Sequence, residues 1–403
     1  MNLPDVRPAV RALSDDTIAT RRDLHRYAEL STEERRTQRV ILDRLRAIGA
    51  EDVRACADTG ATALIRGKLP GPNILWRADI DGLPLQEETG LPFACDGATV
   101  MHACGHDGHV AIALAIAAIL QQSRATLAGS VRFAFQPAEE HVGGAQRMID
   151  DGVLSSPPVD RVFGFHIWAP ARVGQAVVTA GPVFAASTHF RIIIRGQGGH
   201  ASAPHTAVDP IVVAAHAVVA LQTVVSRAVN PEETAVLTIG RIQGGVRGNI
   251  IPNEVMMSGT IRTFERDVQE RVVERATQVL TGVTAAWGAA FQFDTSTLPA
   301  VVNDPACAAL AAGAAAALLG AENVLEGRTT GGDDMAYFLE RAPGAYVMLG
   351  GRDPERGDVW PHHHPKFDFD ERCLGLGVEL GLRIIEAATR WRSRTFTSNS
   401  AAG

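Results

Sequence analysis

What most constrains the fold of this 403-residue chain is a change of pattern partway along it. Through residue 185, short apolar runs at 63–65, 74–76, 131–135 and 161–165 come first, and helical patterns at 110–122 and Gly144–Asp150 lie between the later ones. Strands separated by helices build a largely parallel sheet covered by those helices, which is an α/β fold. From residue 186 the order becomes strand 188–195, helix 209–226, strands 235–242 and Glu254–Thr263, helix 267–287, and strand 290–294. That βαββαβ order is the split, ferredoxin-like unit. After residue 298 the first alternation resumes. The expected organisation is an α/β domain with a mainly parallel sheet, made of 1–185 and 299–403, interrupted by an inserted α+β domain at 186–298.

Local signals refine this. The first 50 residues read as two helices. Ser31 and Glu34 have capping-box spacing, and Ile41, Leu45 and Ile48 follow at helical spacing, with Gly49 placed to end the helix. Asp267 and Glu270 repeat the capping spacing before 267–287. The uncharged stretches 210–226 and 305–321 fall short of a strongly apolar membrane span and read as buried helices.

The N-terminus shows no apolar core of a secretory signal. Five cysteines, scattered and odd in number, fit a reducing compartment and a cytoplasmic location. A net charge of −7 argues against a nucleic-acid partner and offers no basic patch to a membrane.

Four separated segments carry residues suited to chemistry. MHACGHDGH (101–109) holds Cys104 and His106 two apart, just before an apolar helix. Thiolate and imidazole are ligands for zinc and similar ions, although a lone Cys-x-His is more often structural. QPAEEHVGG (136–144) follows an apolar strand, and Pro137 ends that strand. Glu139 and Glu140 therefore sit where open α/β sheets collect their active sites, although acids also favour a solvated helix N-terminus. His166 in FGFHIWA ends another apolar run. WPHHHPKFDFDE (360–371) supplies His362, His363 and His364, which cannot all face one ion. Each signal is modest, but together they would fill a two-ion site with one bridging group. Metal-assisted hydrolysis, with a nearby carboxylate as base, is the chemistry such a set supports.

These residues resemble the M20 family of metallopeptidases and amidohydrolases, in its aminoacylase/hippurate-hydrolase branch. The resemblance runs in order from DLHRYAELS (23–31) through RADIDGLP, MHACGHDGH, QPAEE, GPVFAAS, GQGGHASAPHTAVDPI, GGVRGNIIPNEVMMSGTIRT and GGDDMAYF to HHPKFDFDE (363–371). It implies a dinuclear catalytic domain with an inserted dimerisation or lid domain, and hence a homodimer or higher homo-oligomer. It implies cleavage of the amide bond of small N-acyl amino acids by metal-activated water, with a dipeptidase or a non-catalytic metal-binding relative as alternatives. Two divalent ions are implied, zinc or manganese before cobalt or nickel.

The implied ligands are Cys104 (bridging), His106, Glu140, His166 and His363, the last because the ligand stands two residues before the proline, here Pro365. His362 and His364 are the alternatives. Glu139 would be the general base. His200 would bind the substrate carbonyl, in its own active site or its partner's. Asn249 and Arg262 would hold the substrate carboxylate, the other reading of Arg262 being a surface strand residue. Asp81, or else Asp79, would orient a metal-site group, while His25, His102 and His109 would be scaffold. GGDDMAYF, Arg247 and His189 depart from the usual family pattern, the first two where they would reshape the substrate pocket.

Overall fold

The structure, a computed structural model, describes residues 3–95, 99–141, 143–353, 355, 357 and 359–390. The outer ends of the expected first and last segments, 1–2 and 391–403, lie outside the described residues. The chain divides into two compact units. One comprises Met1–Gly181, Val302–Gly327 and Tyr337–Gly403; the other comprises Pro182–Val301 and Arg328–Ala336. The sequence reading left Arg328–Ala336 with the segment 299–403; in the structure it clusters with the inserted unit.

The first unit is built on an eight-stranded mixed sheet. Its leading strands are β1 (Glu51–Cys56), β2 (Gly60–Arg66), β3 (Leu69–Asp79), β4 (Ala128–Gln136), β5 (Arg161–Arg172) and β6 (Ala176–Val177). The strand order is β1, β2, β4, β3, β5, Gly344–Arg352, β6, Val324–Leu325. The four central strands, β4 to Gly344–Arg352, are mutually parallel, and the outer pairs β1/β2 and β2/β4 are antiparallel. Strands β4, β5 and Gly344–Arg352 are buried along most of their length, and β3 over its second half, as expected for a sheet covered on both faces, so they read as apolar runs and not as alternations. Helix His106–Gln122 is buried at every residue from His106 to Ala117, so its apolar character runs all round.

Several local expectations change. Among the described residues three helices, not two, precede β1: Pro8–Ala12, Ser14–Arg26 and Arg35–Ile48. Gly49 ends the third in the left-handed conformation at φ 79°, as expected. No capping box forms at its start, because the Glu34 side chain makes no cap bond and Ser31 bonds to Asp81 instead. Asp267 and Glu270 likewise do not cap; they pair with Arg271 and Arg266 one turn away. Strand β1, polar and at the sheet edge, gave no apolar run to find. The helices Pro210–Ala228 and Pro305–Leu319 each bury one face only. Pro210–Ala228 is long and apolar enough to meet a membrane-crossing test, with mean hydropathy 1.7, yet Val213, Ala217, Leu221 and Val224 pack into its unit's core.

In the second unit four antiparallel strands lie in the order Ala290–Leu298, Ala186–Arg195, Glu254–Thr263, Ala235–Gly244. Helices Pro210–Ala228 and Arg266–Trp287 pack on each other and on the sheet, around Phe190, Ile192, Ile194, Met257 and Ile261. Asp209 caps the first of them by accepting from the Ile211 N–H. Alternate residues His189, Arg191 and Arg195 of the strand Ala186–Arg195 are exposed.

Buried charge ties the first unit together around His25. Its Nδ1 lies 2.9 Å from Asp107 and its Nε2 3.2 Å from Glu87, and Arg21 also donates to Asp107. Burial opposes the charge on His25, but Asp107 and Glu87 outweigh it and raise its pKa to about 9. A raised pKa gives stability that is fully present below about pH 6.5 and is lost as pH climbs through about 9. The shift corresponds to about 3 kcal/mol. Urea unfolding should show that loss between pH 6.5 and 9.5 in the wild type and not in His25→Gln; parallel pH profiles would contradict it.

Candidate metal centre

The centre assembles at the carboxyl ends of the parallel strands. Asp79 ends β3 beside Gln136, which ends β4. Pairing of β5 with β3 stops at Gly164, so His166 stands two residues past it at the end of β3. The sequence placed His166 at a strand end; β5 in fact continues to Arg172, paired with Gly344–Arg352. Cys104 and His106 flank Gly105, whose φ of 91° makes the sharp turn into the buried helix His106–Gln122. Glu139 and Glu140 lie on the loop after β4.

These side chains converge. Cys104, His106 and His166 offer donor atoms that all lie within 4.8 Å of one another. The same holds for Cys104, Glu140 and His363, and for His106, Glu139 and Glu140. Cys104 is thus common to two of the donor sets. Its Sγ is 3.5 Å from His166 Nε2, and Glu140 Oε1 is 3.2 Å from His363 Nε2 and 4.0 Å from His106 Nε2.

The three consecutive histidines separate cleanly. His362 is half-buried, stacks on Trp168, and its Nε2 accepts from the Ala169 N–H. His364 stacks on Trp360 and accepts from the Lys366 N–H through Nδ1. His363 alone of the three stands beside Glu140, in a left-handed conformation at φ 64° that side chains rarely adopt. Its N–H bonds to the Ala103 carbonyl, next to Cys104.

The electrostatics suit a cation. His106 Nε2 and Glu140 Oε1 are buried with no hydrogen-bond partner among the described residues, which a native site tolerates when something else satisfies them. Burial opposes the charge on His106, yet Asp79, Asp81 and Glu140 raise its pKa to about 10. Excess negative charge therefore holds a proton where a metal ion would compete for it. His166 goes the other way: burial, with His109 and His362 nearby, holds it neutral. Its Nδ1 donates to the Ile167 carbonyl, leaving the Nε2 lone pair toward Cys104. Soft thiolate, neutral imidazole and carboxylate together fit borderline divalent ions.

Supporting residues surround this set. Asp81 offers its carbonyl oxygen 2.9 Å from His106 Nδ1, and its carboxylate accepts from Ser31 and from the Glu140 N–H. Asp79 lies 2.5 Å from His109 Nδ1, and His109 Nε2 accepts from the Ile167 N–H beside His166. Buried Arg77 donates to Asp79, Gln136 and Tyr346 beneath the strand ends. His102 is buried with neither ring nitrogen hydrogen-bonded among the described residues, and burial pulls its pKa down to about 4. Sequence reasoning missed Arg77, Gln136 and Glu34. Arg77 lay in plain view within RADIDGLP, but an arginine inside an apolar strand has no spacing signal.

In the second unit, His200 and Asn249 come together and are exposed. His200 pairs with Ile250 in a two-stranded ribbon, and the Ala201 N–H bonds to the Asn249 carbonyl. The Ser202 N–H lies 3.1 Å from His200 Nδ1, which must accept, so the neutral ring carries its proton on Nε2. Arg262 is half-buried on the strand Glu254–Thr263, lies close to Gly332, and makes no hydrogen bond or ion pair to the described residues.

Donors of these types gathered on one shared thiol, with carboxylates adjoining, define a hydrolase that works through divalent metal. Comparison with known proteins agrees. Residues 75–387 match Peptidase family M20/M25/M40, and the chain belongs to that family. It is 40% identical over 385 residues to an N-acetylcysteine deacetylase of Bacillus subtilis (strain 168), covering 94% of this chain and 99% of that one. It is 39% identical over 294 residues to an N-acyl-L-amino acid amidohydrolase of Geobacillus stearothermophilus, covering 73% and 79%. The crystal structure of the Bacillus subtilis YXEP protein, described as a dinuclear metal binding peptidase of the M20 family, superposes with a TM-score of 0.82 at 36% identity, covering 94% and 99%. The protein is a metal-dependent hydrolase of amide C–N bonds.

Proposed function

We propose that the protein hydrolyses N-acyl amino acids at a two-ion centre. The observation that carries this is Cys104, shared between the donor sets of His106/His166 and Glu140/His363, with Glu139 adjoining. Cys104, His106 and His166 would hold one ion, and Cys104, Glu140 and His363 the other. When bound, the ions lower the pKa of a water at the centre and offset charge developing on the substrate oxygen. Zinc or manganese suits the mixed thiolate, imidazole and carboxylate set, ahead of cobalt or nickel.

The chain's own residues supply the rest. Glu139 takes a proton from the attacking water and delivers it to the leaving amine. His200, with its proton on Nε2, donates to the carbonyl oxygen as charge develops there. Asn249 and Arg262 hold the substrate carboxylate. Burial lowers the pKa of the Arg262 guanidinium, and no protein carboxylate neutralises it among the described residues, which favours an anion from outside over a mere surface arginine. Asp81 keeps His106 oriented through its main-chain oxygen.

We further infer that the second unit is a ferredoxin-like dimerisation or lid domain, with boundaries near 186 and 298. Its edge strand Ala235–Gly244 pairs on one side only, and Ile211, Val212 and Val219 of the adjoining helix are exposed, which fits a homodimer readable by sedimentation. The five cysteines, none in a disulfide, fit a cytoplasmic location.

The test is hydrolysis by the metal-loaded enzyme of N-acetyl, benzoyl and long-chain acyl amino acids, beside the matching dipeptides. Cleavage of the acyl amino acids ahead of the dipeptides is expected. Dipeptide preference, or no turnover with full metal loading, would reject the reading.

A further inference from the structure

The segment that carries Ser31 and Glu34 does not cap its helix, and the structure gives it another task. Glu34 is fully buried. Its Oε1 accepts from the Ala138 N–H at 2.8 Å, and its Oε2 accepts from the Thr59 hydroxyl at 2.5 Å. Three residues earlier, the Ser31 hydroxyl donates to Asp81 Oδ2 at 2.6 Å, and the same oxygen accepts from the Glu140 N–H at 3.0 Å. The N–H groups of residues 138 and 140 are therefore each held by a buried carboxylate, and Glu139 lies between them.

This loop needs such restraint. Ala138 has φ 51°, a left-handed conformation that is sterically unfavourable for a residue with a side chain. Behind it Gly144 presses on Pro137: a Cβ there would stand 1.6 Å from the Pro137 carbonyl oxygen. The turn is thus closed from behind by a glycine and in front by Glu34. Released from Glu34, the Ala138 N–H would be buried without an acceptor, and the backbone would relax toward the right-handed region. Both acids would then move. A misplacement of about 1 Å at reacting groups can lower a rate about 10²-fold.

We infer that Glu34 is a positioning residue for the Glu139–Glu140 loop, acting through the Ala138 N–H with Thr59 fixing its second oxygen. The inference rests on the reading of Glu139 and Glu140 as base and ligand. Charge on Glu34 is not what matters; reach is. Glu34→Gln keeps an oxygen for Ala138 and turns its amide to Thr59 Oγ1. Glu34→Asp keeps the charge but is one methylene too short to reach both partners.

Two readouts test this on the folded, metal-loaded protein. Affinity for each of two metal equivalents is measured by chelator competition, which needs no substrate, and kcat and KM are measured on any hydrolysed N-acyl amino acid. Glu34→Asp should weaken one equivalent about tenfold and lower kcat about tenfold or more, with KM within about threefold. Glu34→Gln should stay within about threefold of wild type in all of these. Equal losses in both variants, or wild-type behaviour of Glu34→Asp, would overturn the inference. If Glu34→Asp does not fold, Thr59→Val carries the test: it is nearly isosteric and frees Oε2, so unchanged metal affinity and kcat would overturn it. Should the wild type hydrolyse no N-acyl amino acid, the functional reading fails while the metal titration still decides the role of Glu34.

Discussion

Glu139→Gln should keep its metal and lose about 10²–10⁴-fold in kcat. The substitution preserves size and removes only the ability to take a proton. The geometry separates the two adjacent acids. Glu140 stands 3.2 Å from His363 and shares that donor set with Cys104, whereas Glu139 belongs to neither set containing Cys104. Glu140→Gln should therefore lose metal, and Glu139→Gln should lose rate alone. Glu139 is nine-tenths buried, so its carboxylate works where charge is poorly screened. Metal content by elemental analysis, read beside kcat on one substrate, separates the outcomes. Turnover near wild type in Glu139→Gln would remove it as the base, and metal loss there would exchange the roles of the two acids.

The division between what the sequence disclosed and what it hid follows from range. Residues 131–135 and 161–165 were visible as strands because a covered parallel strand is apolar along its length, and 188–195 and Glu254–Thr263 because strand segments keep their local pattern. Ser31 and Glu34 were misread for the same reason. Their spacing is a local signal, and the local reading is a capping box, but the partners that claim them are Asp81, Thr59 and Ala138, between 25 and 104 residues away. Hydrogen bonds of that span leave no period in a sequence. The choice among His362, His363 and His364 was likewise open from the residues alone. Of the three, His363 is the one beside Glu140, whereas His362 Nε2 and His364 Nδ1 accept from the Ala169 and Lys366 N–H groups. His166 shows the converse: the residues alone end a strand there, but pairing with Gly344–Arg352 carries it six residues further.

Cys104→Ala should cost the protein metal before it costs anything else. The thiol is the one donor common to both sets, so its removal leaves His106 with His166 and Glu140 with His363, two protein ligands apiece where closed or catalytic sites use three or four. Less than one of the two equivalents should survive dialysis, and activity should fall with it. Cys104→Ser should do little better, because a hydroxyl does not ionise near neutral pH and cannot offer an anion to two cations. Cys104→Asp is the informative partner. A carboxylate has two oxygens and can face both ions, so it should recover loading while moving preference from zinc toward manganese, the harder ion. Binding should also strengthen as pH rises, since a metal must displace the thiol proton and the proton that Asp79, Asp81 and Glu140 hold on His106. Full loading of Cys104→Ala, or affinity independent of pH, would show that the ions sit on some other set of ligands.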